Sequence, residues 1–167
     1  MNEHINYAIQ AVKDAGFEIA RHELVGSTYI ADKQDSDLDV LILVKKPSQV
    51  LEDKEGLDLL QHVPDLESAH LPGWKYGGSY NEGDPGVWES FKTTWNGREI
   101  NAILVDNEEY WWSWVKAAEV CRYIHLMQKK NGDSVYSPEA ISELDVRIGI
   151  HNILMDDSSA EDEAKVR

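Results

Sequence analysis

The sequence predicts a small α/β domain in which a short mixed β-sheet is flanked by helices. Three observations carry that expectation. Residues 38–44 read LDVLILV, a continuous apolar run of the kind found in an interior strand covered on both faces. Asn96-Gly97 stands between two β-favouring stretches, and a two-residue type I′ hairpin needs positive φ at both central positions, which this pair tolerates. Helical spacing of apolar residues appears at the N-terminus and again in the last third of the chain.

The 167 residues suit one domain with a proper core, expected over 1–155, followed by an acidic tail over 156–167 whose polar composition predicts disorder. The 31 acidic against 16 basic residues give a formal charge of −15, which disfavours nucleic acid as a partner. A lone cysteine, Cys121, cannot close an intramolecular disulfide, so the fold does not call for an oxidising compartment and a cytoplasmic location is expected. The opening MNEHINYAIQ lacks a basic region followed by an apolar one, and no run approaches the roughly 20 apolar residues of a membrane span. Neither export nor membrane insertion is therefore expected.

Taken in order, Ile5, Ala8, Ile9 and Val12 lie on one helix face, and Gly16 follows where a helix often stops. Residues 17–25 carry β-favouring positions that lead straight into Gly26. The strand at 38–44 follows, then a helix over 48–62 with Ser48 as cap and Pro64 as stop. The stretch LPGWKYGGSYNEGDPG, 71–86, reads as an irregular loop because of its glycines and prolines. Two antiparallel strands flank Asn96-Gly97. An aromatic-rich helix spans 107–130, with apolar residues on more than one face and hence well buried. Ser137-Pro138-Glu139 opens a last helix running to about Met155. The two late helices, 107–155, are expected to pack on the sheet and are a candidate dimer surface.

Chemistry concentrates in VGSTYIADKQDSDLDVLILV, residues 25–44. On an extended chain Asp37 and Asp39 point to the same side, so two carboxylates converge. Such a pair raises its own pKa values unless a cation sits between the groups, and oxygen donors suit magnesium. Gly26 and Ser27 offer a residue without Cβ, backbone N–H groups and a hydroxyl, which is what a polyphosphate needs. A short helix from Thr28 would add a favourable dipole.

A strand, Gly-Ser, a loop of about ten residues and Asp-x-Asp opening an apolar strand together resemble the signature of the nucleotidyltransferase superfamily, of polymerase-beta-like fold. SDLD at 36–39 is a form in which that signature often appears. The resemblance is good over 17–44 and looser through Val105. It implies transfer of a nucleoside monophosphate from a nucleoside triphosphate (ATP or another NTP) to a hydroxyl. Gly26 and Ser27 would position the phosphates, and Asp37 and Asp39 would act as catalytic residues and metal ligands. In the family, two metal ions activate the attacking oxygen and steady the leaving pyrophosphate. Because the chain is acidic and carries no nucleic-acid module, the acceptor is expected to be a small molecule or a protein side chain.

Two departures bear on that expectation. The family's third carboxylate aligns with Asn101, an amide that can coordinate a cation but contributes no negative charge. Asn101 is thus the third candidate metal ligand, with Glu99 and Glu89 as alternatives. The basic residue many relatives carry after Gly-Ser is replaced by Thr28 and Tyr29, with Lys33 the nearest cation. Two rival readings follow: a binder of the same fold without turnover, antitoxin-like or a pseudoenzyme, and an acidic protein that mimics nucleic acid.

Other candidates have plain structural readings. Cys121 and His125 share a helix face but lack a second pair with ligand spacing, so core packing is expected. Trp111, Trp112 and Trp114 are expected mainly in the core, while Trp74 and Tyr76 are better placed to touch a ligand. Lys116, Arg122, Lys129, Lys130 and Arg147 could meet a triphosphate or simply face solvent.

Overall fold

A computed structural model describes residues 2–53, 63–79, 84–130 and 143–166. The chain runs α1 (Asn2–Asp14), β1 (Ile19–Val25), α2 (Gly26–Ala31), β2 (Leu38–Val44), α3 (Pro47–Asp53), a 3-10 turn (Leu66–Ser68), β3 (Lys75–Ser79), β4 (Glu89–Trp95), β5 (Arg98–Val105), α4 (Glu108–Lys130) and α5 (Glu143–Val166). The strands form one mixed sheet in the order β1-β2-β5-β4-β3, in which β2 and β5 are parallel and the other neighbours antiparallel.

The LDVLILV run occupies an interior position between β1 and β5, and six of its seven residues are buried. Alternation along β2 sends its side chains into two separate cores. Leu38, Val40, Ile42 and Val44 join Ile100, Ala102, Leu104, Phe91 and the α1 residues Ala8 and Val12 on one face. Leu41 and Leu43 join Ile103, Val105 and the α4 residues Tyr110, Trp111, Trp114 and Val115 on the other. Burying a residue of this size is worth about 1.5–3 kcal/mol, so the two layers are the main source of stability. On the α1 side the ring of Tyr7 stacks on Trp95, with centroids 4.6 Å apart, and on Trp74, at 5.9 Å.

Asn96 and Gly97 have φ of 50° and 74°, the backbone of the type I′ turn, and they join β4 to β5 as their sequence requires. Asn107 caps α4 by accepting a hydrogen bond from the Tyr110 backbone N–H at 2.9 Å. Trp111 and Trp114 are core residues, and Cys121 and His125 are buried on α4. Burial pushes the Cys121 thiol up to about 11.

The glycine-rich stretch differs from expectation. Instead of an irregular loop throughout, residues 75–79 form the edge strand β3, with a bulge between Tyr76 and Gly78. The physical reason is space. A Cβ on Gly77 would lie 2.8 Å from Ser90 Oγ, and that hydroxyl donates to the Gly78 carbonyl at 2.9 Å. Gly77 thus permits a close strand pairing, while Gly78 takes up a φ of 107° at the bulge. Helix α3 covers the first part of the helix expected over 48–62, and 54–62 lies outside the described residues, as does the opening of the last helix at 137–139. Helix α5 continues through Val166, into the segment whose composition predicts disorder.

Candidate functional site

The site begins where β1 ends. Val25 is the register partner of Asp39, so the chain leaving β1 turns directly beside that carboxylate. Gly26 makes the turn with φ of 75°, and a Cβ there would overlap Oδ2 of Asp39 and come within 2.9 Å of its Cγ. No other residue type fits both the backbone and the space. Ser27 follows, half-buried, in the first turn of α2.

Buried Thr28 fixes the loop between α2 and β2. Its hydroxyl lies 3.1 Å from the Lys33 carbonyl and 3.0 Å from the Asp37 carbonyl, its single proton shared between the two. Arg98, at the start of β5, donates to Thr28 Oγ1 at 3.2 Å and to the Ser36 carbonyl at 3.5 Å. Its Nε is buried without a hydrogen-bond partner.

Asp39, Asn101 and Lys92 stand directly opposite one another on β2, β5 and β4. Register partners point to the same face, so these three form a row on the α4 side of the sheet. Asn101 Nδ2 donates to Asp39 Oδ1 at 3.1 Å, and Asn101 Oδ1 is buried without a partner. Lys92 Nζ lies 3.8 Å from Asp37 Oδ2, which places Asp37 on that face as well. The Asp39 carboxyl is pushed up to about 6, mainly by burial; the Asn101 hydrogen bond opposes this, while the nearby Glu143 and Asp37 carboxylates add to it.

Four of the five expected site residues therefore come together, Gly26 against Asp39, Asp37 on the same face, and Asn101 bonded to Asp39, while Ser27 joins them only as the chain neighbour of Gly26. The alternatives to Asn101 do not join them in the same way. Glu89 pairs with Leu104, on the α1 side of the sheet, and accepts a hydrogen bond from Tyr76. Glu99 shares the face of Asn101 but is exposed near the turn. Among the described residues no group of three or more His, Cys, Asp or Glu side chains is arranged to hold a metal. The oxygen donors on this face are the two carboxylates and, on Asn101, an amide oxygen without a partner. An all-oxygen set of this kind fits a hard divalent cation such as magnesium.

Trp74 and Tyr76 both lie away from the aspartates. Trp74 packs on Tyr7, and Tyr76 pairs with Phe91 on the α1 side. Lys129 and Lys130 are exposed at the end of α4, and the other three cations of the late helices are engaged elsewhere. Arg122 holds the C-terminal end of α2 through the Tyr29 carbonyl and Asp32, and Lys116 pairs with Glu119. Arg147 is buried, 3.3 Å from Asp84, with its guanidinium over the Trp114 ring. Asp84 also accepts from Tyr110 and from Trp88 Nε1.

Sequence reasoning passed over Lys92, Arg98 and Glu143. A signal for the first was present: counting three residues outward on each strand from the Trp95–Arg98 pair puts Lys92 opposite Asn101. Glu143 had no such signal, because its place depends on how α5 docks. Its carboxylate accepts from Trp114 Nε1 at 2.8 Å, and burial raises its pKa.

No helix among the described residues is long and apolar enough to cross a membrane. Compared with protein-family models, with curated proteins and with solved structures, the chain finds no match in any of the three. The functional reading rests on the residues themselves.

Proposed function

We propose that the chain is a magnesium-dependent nucleotidyltransferase that moves a nucleoside monophosphate from a nucleoside triphosphate to a hydroxyl of a small molecule or protein. The observation that supports this best is the contact of Gly26 with the Asp39 carboxylate, with Asp37 on the same face. A glycine bend and an acidic pair meet there in space. Asp37, Asp39 and the free oxygen of Asn101 would hold the cation. When bound, magnesium supplies positive charge and Lewis acidity to the phosphates.

The remaining roles belong to the chain. The backbone around Gly26 and the Ser27 hydroxyl would orient the triphosphate. Thr28 and Arg98 hold the loop that presents Asp37, so the two aspartates keep a fixed spacing. Isothermal titration with ATP and the other nucleoside triphosphates, with and without magnesium, tests the reading. Metal-dependent binding is expected in the wild type and is expected to vanish in Asp37→Ala and Asp39→Ala. Metal-independent behaviour in all three proteins would rule the site out.

A second reading, a nucleotide or partner binder without turnover, is favoured by Asn101 in place of a third carboxylate. Pyrophosphate release with candidate acceptors separates the two. Binding without any release over a broad acceptor panel favours the binder.

A further inference from the structure

We infer that the cleft over β4 and β3, on the sheet face that bears the aspartates, takes the acceptor, and that this acceptor is a small hydroxyl-bearing anion held by Lys75 and Lys92. The inference rests on the nucleotidyltransferase reading and names the substrate class of that site. Transfer to a hydroxyl is an in-line displacement, so the attacking oxygen and the leaving pyrophosphate stand on opposite sides of the reacting phosphorus. The bend at Gly26 lies on the β1 side of Asp39, whose register partner is Val25. With the phosphates over that bend, the acceptor approaches from the other side, across β5 and β4. Its oxygen bonds to the α-phosphorus as the bridging bond to the β-phosphate breaks. Pyrophosphate leaves towards Gly26, and the hydroxyl proton passes to solvent water.

A cleft stands on that side. Asp39, Asn101, Lys92 and Lys75 are successive register partners across β2, β5, β4 and β3, so all four point to one face. Helix α4 packs on β1, β2 and β5. Beyond it the face opens into a cleft of about 610 Å³ lined by Lys75, Gly77, Lys92, Thr94 and Glu99, a size that suits a small molecule. Strand spacing puts the Lys75 backbone about 14 Å from that of Asp39.

Charge sets the class of occupant. Lys75 and Lys92 stand directly opposite each other on neighbouring strands, where like charges repel. A phosphate or carboxylate between them turns that repulsion into two charge-assisted hydrogen bonds. Lysine on an edge strand also deters pairing with other chains, which accounts for Lys75 on β3 but not for Lys92 on the interior strand β4. Both side chains can reach an anion: Lys75 is exposed, and the half-exposed Lys92 makes only a loose pair with Asp37 at 3.8 Å. The Thr94 hydroxyl and the Glu99 carboxylate, in the same cleft, suit the hydroxyls of the acceptor.

Glycerol phosphate and glycerol serve as matched probes, one anionic and one neutral. Each is titrated into the isotopically labelled full chain, first alone and then with magnesium and a non-hydrolysable ATP analogue, and backbone amide shifts are read by NMR. Glycerol phosphate is expected to give saturable shifts at Lys75, Lys92 and Thr94, with glycerol binding at least about tenfold more weakly. Lys75→Gln and Lys92→Gln, exposed substitutions whose folding the same spectra verify, are each expected to weaken the glycerol phosphate response severalfold. Equal response to the two probes, shifts confined to Gly26 and Ser27, or undiminished binding in both variants overturns the inference. Metal-dependent shifts from the ATP analogue at Gly26 and Ser27 leave the nucleotidyltransferase reading intact in each of those cases. If the analogue produces no such shifts, that reading fails, and the acceptor assignment falls with it whatever glycerol phosphate does.

Discussion

Asn101 is both the register partner of Asp39 and its hydrogen-bond donor, over 3.1 Å, although the two are 62 residues apart in sequence. The amide holds one carboxylate oxygen and leaves its own oxygen buried and unpaired. This relationship makes position 101 a sensitive test of the site.

Asn101→Asp places a third carboxylate against Asp39, whose own pKa is already raised. Without metal, the like charges are expected to cost about 1–2 kcal/mol of stability. With magnesium the same change is expected to tighten binding about tenfold or more and to raise the melting temperature with metal concentration. Calorimetry and thermal melts with and without magnesium check both halves. Unchanged metal affinity would place Asn101 outside the site.

Gly26→Ala combines two penalties, a left-handed backbone and a Cβ driven into the Asp39 carboxylate. Together they are expected to cost roughly 2–5 kcal/mol in urea denaturation. Nucleotide binding should be lost even under conditions where the variant stays folded. Ser27→Ala, which alters no backbone, should weaken nucleotide binding with little change in stability.

The pH dependence of Asp39 has a definite sign. Its folded pKa, about 6, lies above the ordinary value of 3.8, so the folded chain holds this proton more tightly than the unfolded chain. The resulting stabilisation is fully present below about pH 3.8 and is lost as the pH rises through about 6. Asp39→Asn removes the buried charge and should gain on the order of 1–3 kcal/mol at pH 8 and nothing at pH 4. Urea melts at the two pH values measure the difference. If Asp39 holds magnesium as proposed, the ion would compete with the same proton, and its affinity should fall about tenfold per unit below pH 6.

Arg147 and Asp84 form a buried ion pair whose side chains are 5% and 0% exposed. Removing one partner leaves an uncompensated charge, so Arg147→Met should cost about 3–5 kcal/mol. Adding Asp84→Asn to that variant should recover part of the loss. A double-mutant cycle with no coupling would mean that Tyr110 and Trp88 satisfy Asp84 without the arginine.

Much of this architecture was readable from short-range signals. The apolar run of β2, the Asn96-Gly97 turn and the helical face of α1 each specify their element locally, and each element forms where its residues require. The acidic pair and the Gly-Ser bend were legible in one short stretch, although Asp37 precedes β2 and its place depends also on the loop held by Thr28 and Arg98. What was not readable depended on docking. Residues 75–79 read as loop because glycines disfavour strand, and only the closeness of Ser90 to Gly77 and the positive φ of Gly78 give those glycines a purpose. Arg147 looked like a solvated helix charge until α5 buried it against Asp84 and Trp114. Lys92 needed the hairpin register to be followed into the site, and Glu143 needed the packing of two helices.

The parallel pairing of β2 with β5 also governs how the molecule is made. An antiparallel hairpin such as β4–β5 closes over a two-residue turn, whereas Leu38 and Ile100 must find each other across a long crossover. Closing that loop is entropically slow, so the sheet's middle is completed late. On the ribosome, both aspartates emerge well before their amide neighbour is synthesised. Until then β2 keeps an open apolar edge, the kind of nascent surface that chaperones bind. The Asp39–Asn101 contact and completion of the sheet thus arrive in one step.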